Sequence, residues 1–220
     1  MDRDINKEVL EIKKSLRLSM NGIVSAHQRK QGLDYKINFG VEIPRLKALA
    51  TEYDKSRELA TTLWNSSIRE CKMLAIFLMP TEEFTIADAT EWIASAPFTE
   101  IADHLAMNLL SKLDNVQDSA LQWIENDKGL FSYCGFLTLS HIFRKGKALN
   151  KEKESRYFMN IAKILGKENR SMHPLINSAY TSLIHYLEID EDNKLERLQD
   201  AVATTNVEEN SILSDIVQKR

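Results

Sequence analysis

Glycine and proline are scarce in this chain, seven and four residues among 220, and that shortage argues against a sheet-rich architecture. Strands reverse at turns that draw on both residue types, whereas helices avoid them in their interiors. Cysteine is scarcer still. Cys71 and Cys134 both fall inside apolar helical runs, which argues against a disulfide framework or a metal site and suits buried, reduced thiols. No apolar run approaches the ~20 residues needed to span a bilayer. The opening stretch MDRDINKEVLEIKKSL is charged throughout and holds no signal-peptide core. The sequence therefore predicts a cytoplasmic protein with no membrane contact and one domain over residues 1–220, its 43% hydrophobic content supplying a continuous core.

What the chain does have is a repeated tryptophan. ELATTLW ends at Trp64, ADATEW at Trp92 and DSALQW at Trp123. Each closes a short amphipathic run and is followed by a polar break and a second apolar run, the mark of stacked helix pairs. A first long helix is predicted from about Ile5 to Lys30, then a linker QGLDYKINFGVEI interrupted by Gly32 and Gly40, then a helix opened by Pro44. The first helices of the pairs are expected near 55–65, 85–95, 115–126, 153–165 and 193–204. The second helices are expected near 67–79, 98–113, 129–144, 173–187 and 207–218. In the second of these, Phe98, Ile101, Ala102, Leu105, Ala106, Leu109, Leu110 and Leu113 keep helical spacing and form one apolar face. The tryptophans read as core residues that set the register of the stack.

The net charge of -3 conceals blocks of opposite sign. Residues 81–127 carry one Lys/Arg against ten Asp/Glu, whereas residues 128–175 carry ten against three. A nucleic-acid surface needs clustered cations that displace phosphate counterions. The candidates are Lys36, Arg45, Arg69, Lys72, Arg144, Lys145, Lys147, Lys163, Lys167 and Arg170, set against the ordinary reading of charge runs as solvated helix faces. His27, His141, His173 and His185 lack ligand spacing with acids or cysteines, so neither a metal nor a cofactor is expected. Phosphate-cradling Gly-rich loops, nucleophile elbows and HExxH motifs are absent, which removes the commoner enzyme classes.

The stretch from Asn38 to Pro80 resembles the N-terminal repeats of the bacterial DNA alkylation repair family, the AlkD-type HEAT-like glycosylases. The likeness rests on the G-V-x-x-P-x-L-[RK] pattern at Gly40, Val41, Pro44, Leu46 and Lys47. It continues through L-A-x-x-L-W-x-S at Leu59, Ala60, Leu63, Trp64 and Ser66, and through the charged helix start at Arg69, Glu70 and Lys72. The resemblance implies an all-α fold, a right-handed α-α superhelix of HEAT-like helix pairs, and DNA as partner of a monomeric protein. It also implies hydrolysis of the N-glycosidic bond of cationic alkylpurines in active members. An alkylated purine is already a good leaving group, so one carboxylate and flanking aromatic faces beside the deoxyribose suffice.

Carried over residue by residue, the family's Trp-x-x-x-Asp motif falls on FTEIADHL and implies Asp103 as the catalytic carboxylate. Thr99 stands at the aromatic position, with Phe98 beside it. The second aromatic position falls on Thr181, next to Tyr180, so Phe98 and Tyr180 are the candidate substrate contacts. The family's arginine-bearing helix start reads Phe131, Ser132, Tyr133, Cys134 here. Asp103 also fits a plain solvated face, since the helical wheel sets it with Glu100, Asn108 and Ser111 opposite the apolar side. Two readings stand: a glycosylase using Asp103, or a non-catalytic HEAT-like module that binds DNA structures or a protein partner.

Overall fold

The computed structural model describes residues 4–166, 173–189, 193–205, 207–208 and 211–219. Two compact units divide the chain, Met1–Ala89 and Thr90–Arg220. The first contains α1 (Ile5–Leu18), α2 (Gly22–Lys30), α3 (Ile43–Ala50), α4 (Arg57–Trp64) and α5 (Arg69–Leu78), and α6 (Ile86–Ser95) runs across the boundary. The second contains α7 (Thr99–Asn108), α8 (Val116–Ile124), α9 (Phe131–Phe143), α10 (Lys151–Leu165), α11 (Pro174–Leu187), α12 (Lys194–Ala203) and α13 (Ile212–Lys219). Among the described residues there is no strand, only an isolated parallel bridge between Ile37 and Ile68.

The predicted helix pairs are present, and Trp64, Trp92 and Trp123 are buried, as are the neighbouring Ala60, Ala89 and Ala120. Pro44 sits in the first turn of α3, where a missing N–H leaves no intrahelical bond unmade. Two predicted helices are shorter than their apolar pattern. The long helix over 5–30 is two helices, because the Asn21 side chain caps the N–H groups of Ile23 and Val24 while its own N–H donates to the Phe39 carbonyl. A capped start with an outside partner replaces helical continuation. The helix expected over 98–113 ends at Asn108 and tightens into a 3-10 turn at Leu110–Lys112. That turn rotates Ser111, placed on the polar side by the helical wheel, into the interior.

In the first unit the linker before α3 is fastened to the start of α5 by a buried ion pair. Arg69 and Glu70 are 1% and 0% exposed, with Nη1 to Oε1 at 3.1 Å. Glu70 accepts the backbone N–H groups of Phe39 and Val41, each at 3.2 Å, and Arg69 donates to the Val41 carbonyl at 3.0 Å. Arg69's own backbone N–H donates to the Ile37 carbonyl. Gly40 permits this path: its φ is +72°, and a Cβ there would stand 2.1 Å from the Asn21 carbonyl oxygen.

The second unit is built round α9, which packs on α7, α8 and α11. Gly135 lets α8 approach, since a Cβ there would lie 2.6 Å from both the Ala120 oxygen and Ile124 Cγ1. Phe143, Tyr157 and Tyr186 form edge-on or tilted ring pairs at 4.6–5.4 Å, within the favoured aromatic range. The Tyr186 hydroxyl donates to buried Glu154 at 2.6 Å, and Arg197 Nε meets the other carboxylate oxygen at 2.6 Å. Cys71 and Cys134 are free and buried. Burial pushes the Cys71 thiol up to about 11 and raises that of Cys134 further, so neither is a reactive thiolate.

Removing one partner of a buried pair leaves the other charge uncompensated. Arg69→Met or Glu70→Leu is therefore expected to cost about 3–5 kcal/mol, measured by urea unfolding. The double replacement, which strands neither charge, is expected to cost much less than the sum. Equal or smaller losses in the singles would contradict a structural role for the pair.

Candidate functional site

Asp103 occupies the second turn of α7 and is exposed, in the register that the aspartate motif requires. It is not a solitary surface acid. The Tyr133 hydroxyl, reaching from the first turn of α9, donates to Asp103 Oδ1 at 2.5 Å. Desolvation of the carboxyl end raises its pKa, the Tyr133 hydrogen bond opposes that by favouring the charged form, and Glu100 adds repulsion that raises it. Desolvation and the same hydrogen bond push the Tyr133 phenol well above its ordinary range, so it remains a donor.

A cleft of about 390 Å³ opens beside Tyr133, lined by Thr99 and Tyr133 together with apolar Ile124, Leu130, Ile164 and Leu175, and Asp103 itself is not on its lining. Asn160, Lys163 and His173 contribute polar groups to it. Thr99 thus faces open space where a tryptophan would fill part of the cleft. His173 caps α11, its Nδ1 accepting the Leu175 N–H. Glu125, also on the lining, is clamped by Arg156 through bonds of 2.9–3.2 Å.

Of the expected substrate contacts, Phe98 is the N-cap residue of α7 and half-buried, while Tyr180 on α11 is 42% exposed. Neither lines the cleft, and Thr181 is exposed. The family pattern at the helix start at Phe131 points to arginines and gives no sign of Tyr133 as a partner of Asp103. Its spacing of 30 residues from Asp103, one repeat apart, was the available signal.

The cations divide into two groups. Arg69 is buried in the ion pair described above, so it has no exposed group to offer a phosphate. Lys72 is half-buried, with Nζ donating to the Trp64 carbonyl at 2.6 Å and lying 4.6 Å from the Trp64 ring centre. Desolvation lowers its pKa. Both are structural, and charge counting could not reveal it because their partners are a neighbouring acid and a backbone oxygen. Lys36, Arg45, Arg144, Lys145 and Lys147 are exposed and, among the described residues, form no ion pair. Lys145 Nζ donates to the Ser111 carbonyl at 3.2 Å and, with Lys147, edges a polar hollow of about 240 Å³. Lys163 is exposed at the cleft, and Lys167 and Arg170 lie outside the described residues.

The hydrogen bond between Tyr133 and Asp103 makes a titration testable. Tyr133→Phe removes the one interaction that favours the charged carboxylate, so the Asp103 midpoint is expected to rise further. Carboxyl-carbon NMR across the acid range reads this directly; an unchanged midpoint would show that the hydrogen bond does not hold in solution.

Among described residues no helix is long and apolar enough to cross a membrane. No curated protein matches the sequence. The chain is similar to a solved structure described as a new family of proteins related to the HEAT-like repeat DNA glycosylases with affinity for branched DNA structures. The two share 19% identity over 95% of this chain and 92% of that one, with a TM-score of 0.71, which shows a common fold of HEAT-like helix pairs. The family model for DNA alkylation repair enzymes matches residues 19–205, and the chain belongs to that family.

Proposed function

We propose that this protein binds DNA by its structure, at branched or distorted sites, and does not excise alkylated bases at an appreciable rate. The observation that carries this reading is the site's composition. Asp103 keeps its register, but the small side chains Thr99 and Thr181 stand where aromatic faces would flank the sugar. A carboxylate alone supplies charge opposite an oxocarbenium-like sugar. Without flanking faces, the sugar is neither positioned nor shielded from water. Binding demands less: exposed Lys36 and Arg45 in the first unit, and Arg144, Lys145 and Lys147 in the second, can each displace phosphate counterions. The affinity of the similar solved protein for branched DNA supports the same direction. The reduced, buried cysteines suit action in the cytoplasm.

A second reading, residual glycosylase activity, is favoured by one observation. Tyr133, which lines the cleft, holds the Asp103 carboxyl in a fixed orientation. In this reading Asp103 is the catalytic group, Tyr133 its positioning residue, and Phe98 and Tyr180 are displaced substitutes for the absent aromatics.

Affinity for duplex DNA is expected to fall steeply with salt. Arg144→Gln with Lys145→Gln should lower the slope of log affinity against log salt by about 1–2. Salt-independent or absent binding would favour a protein partner. Release of 7-methylguanine from methylated DNA is expected at the blank rate, and Thr99→Trp with Thr181→Trp should raise it above blank in a manner lost on adding Asp103→Asn. Strong release by the unaltered protein, abolished by Asp103→Asn, would instead establish the glycosylase.

A further inference from the structure

Among the described residues, three of the four most exposed large apolar side chains lie at one turn of the first unit, the fourth being Leu10 within α1. Leu18 ends α1 at 80% exposure, Met20 stands in the turn at 59%, and Ile23 in the first turn of α2 is 84% exposed. None belongs to the buried stripe of α1, which is Ile5, Val9, Ile12 and Leu16, and α2 buries none of its residues. Exposed apolar side chains grouped together, unlike ones scattered singly, mark contact surfaces, and these three fall within six consecutive residues.

The backbone here is tied down. The Asn21 N–H donates to the Phe39 carbonyl at 2.8 Å, and the Ser25 hydroxyl donates to the Asn38 carbonyl at 3.0 Å. The Asn38 amide donates to Gln28 at 2.9 Å. The tip is therefore presented by polar bonds and not by apolar packing, which leaves its apolar side chains outward. Along the chain the flanking charge has one sign: residues 13–30 contain Lys13, Lys14, Arg17, Arg29 and Lys30 and no acid. Arg29 approaches Asp34 only at 3.6 Å, with both side chains largely exposed.

We propose that Leu18, Met20 and Ile23 form a wedge that inserts at the branch point of DNA, with the flanking Lys and Arg residues gripping the phosphates on either side; this rests on the DNA-binding reading given above. Apolar wedges enter between base steps, and the steps at a branch are already open. Linear duplex must first be unstacked. The wedge thus confers preference for branched DNA, whereas the basic rim binds both forms.

The test compares binding of the full chain to a four-way junction and to a linear duplex of the same arms at fixed salt, with 2-aminopurine at the crossover. For Leu18→Ser, Met20→Ser and Ile23→Ser combined, the junction-to-duplex preference is expected to fall about tenfold, with duplex affinity held within twofold and the 2-aminopurine signal lost. Arg29→Gln with Lys30→Gln should weaken both substrates alike and reduce the salt dependence. Circular-dichroism melting confirms that each variant is folded. An unchanged preference, or equal loss on both DNAs in the apolar variant, would overturn the wedge while leaving DNA binding in place. Absence of binding to either DNA by the unaltered protein would remove the underlying reading as well. Phosphatidylserine vesicles bound by the unaltered chain and released by the apolar variant, with DNA preference intact, would assign the tip to a membrane surface instead.

Discussion

The buried pair of Arg69 and Glu70 is the constraint on which the first unit depends. Two opposite charges out of water are tolerable only if their remaining donors and acceptors are satisfied. The partners that satisfy them are the backbone groups of Phe39 and Val41. That requirement dictates the course of the linker, and the course of the linker dictates the rest. With Phe39 fixed, its carbonyl receives the Asn21 N–H, and Asn38 receives Ser25 and joins Gln28. Helix α2 has almost no core of its own, so it is held where it is by a chain of hydrogen bonds leading back to one ion pair. Gly40 is the hinge of the arrangement, since its positive φ and the close Asn21 oxygen leave no space for a side chain.

The second unit solves a different problem. Its centre is α9, which receives neighbours on several sides and must be thin where α8 crosses it, hence Gly135. The same helix begins with Tyr133, directed at Asp103, so the candidate site is an outgrowth of core packing: α9 cannot be placed for the core without also placing the phenol. The carboxylate's environment is a balance in which desolvation and Glu100 disfavour the charge and Tyr133 favours it. What the site lacks is bulk. Thr99 lines the cleft with a small side chain where the family motif places an aromatic ring, and the oriented acid lies outside the lining.

Much of the fold was legible because periodicity and turn economy are local. Ten helices of the five pairs fell near their predicted positions, and the buried tryptophans mark the first three pairs. The fold departs from the local pattern where non-local bonds and tightened helix ends intervene. The break at Ser19–Asn21 answers to Phe39, and the buried face of Ser111 follows from a tightened helix end, neither visible in a helical wheel. The same limit governed the site. Arg69 and Lys72 counted as free cations in the sequence, yet one neutralises its neighbour and the other caps the helix that ends in Trp64. Asp103 is a candidate by its register in the family motif, whereas its hydrogen bond from Tyr133 exists only because two helices a repeat apart stand side by side. The exposed tip at Leu18, Met20 and Ile23 was hidden inside what read as one amphipathic helix.

The family membership and the exposed Lys and Arg residues support the proposal that this chain recognises DNA structure through exposed elements of each unit. Hydrogen exchange of the full chain, with and without a saturating four-way junction, tests it most directly. Slowed exchange is expected in the α1–α2 turn and in the segment following α9 that carries Arg144, Lys145 and Lys147. Exchange that is unchanged in both segments at saturation would contradict it.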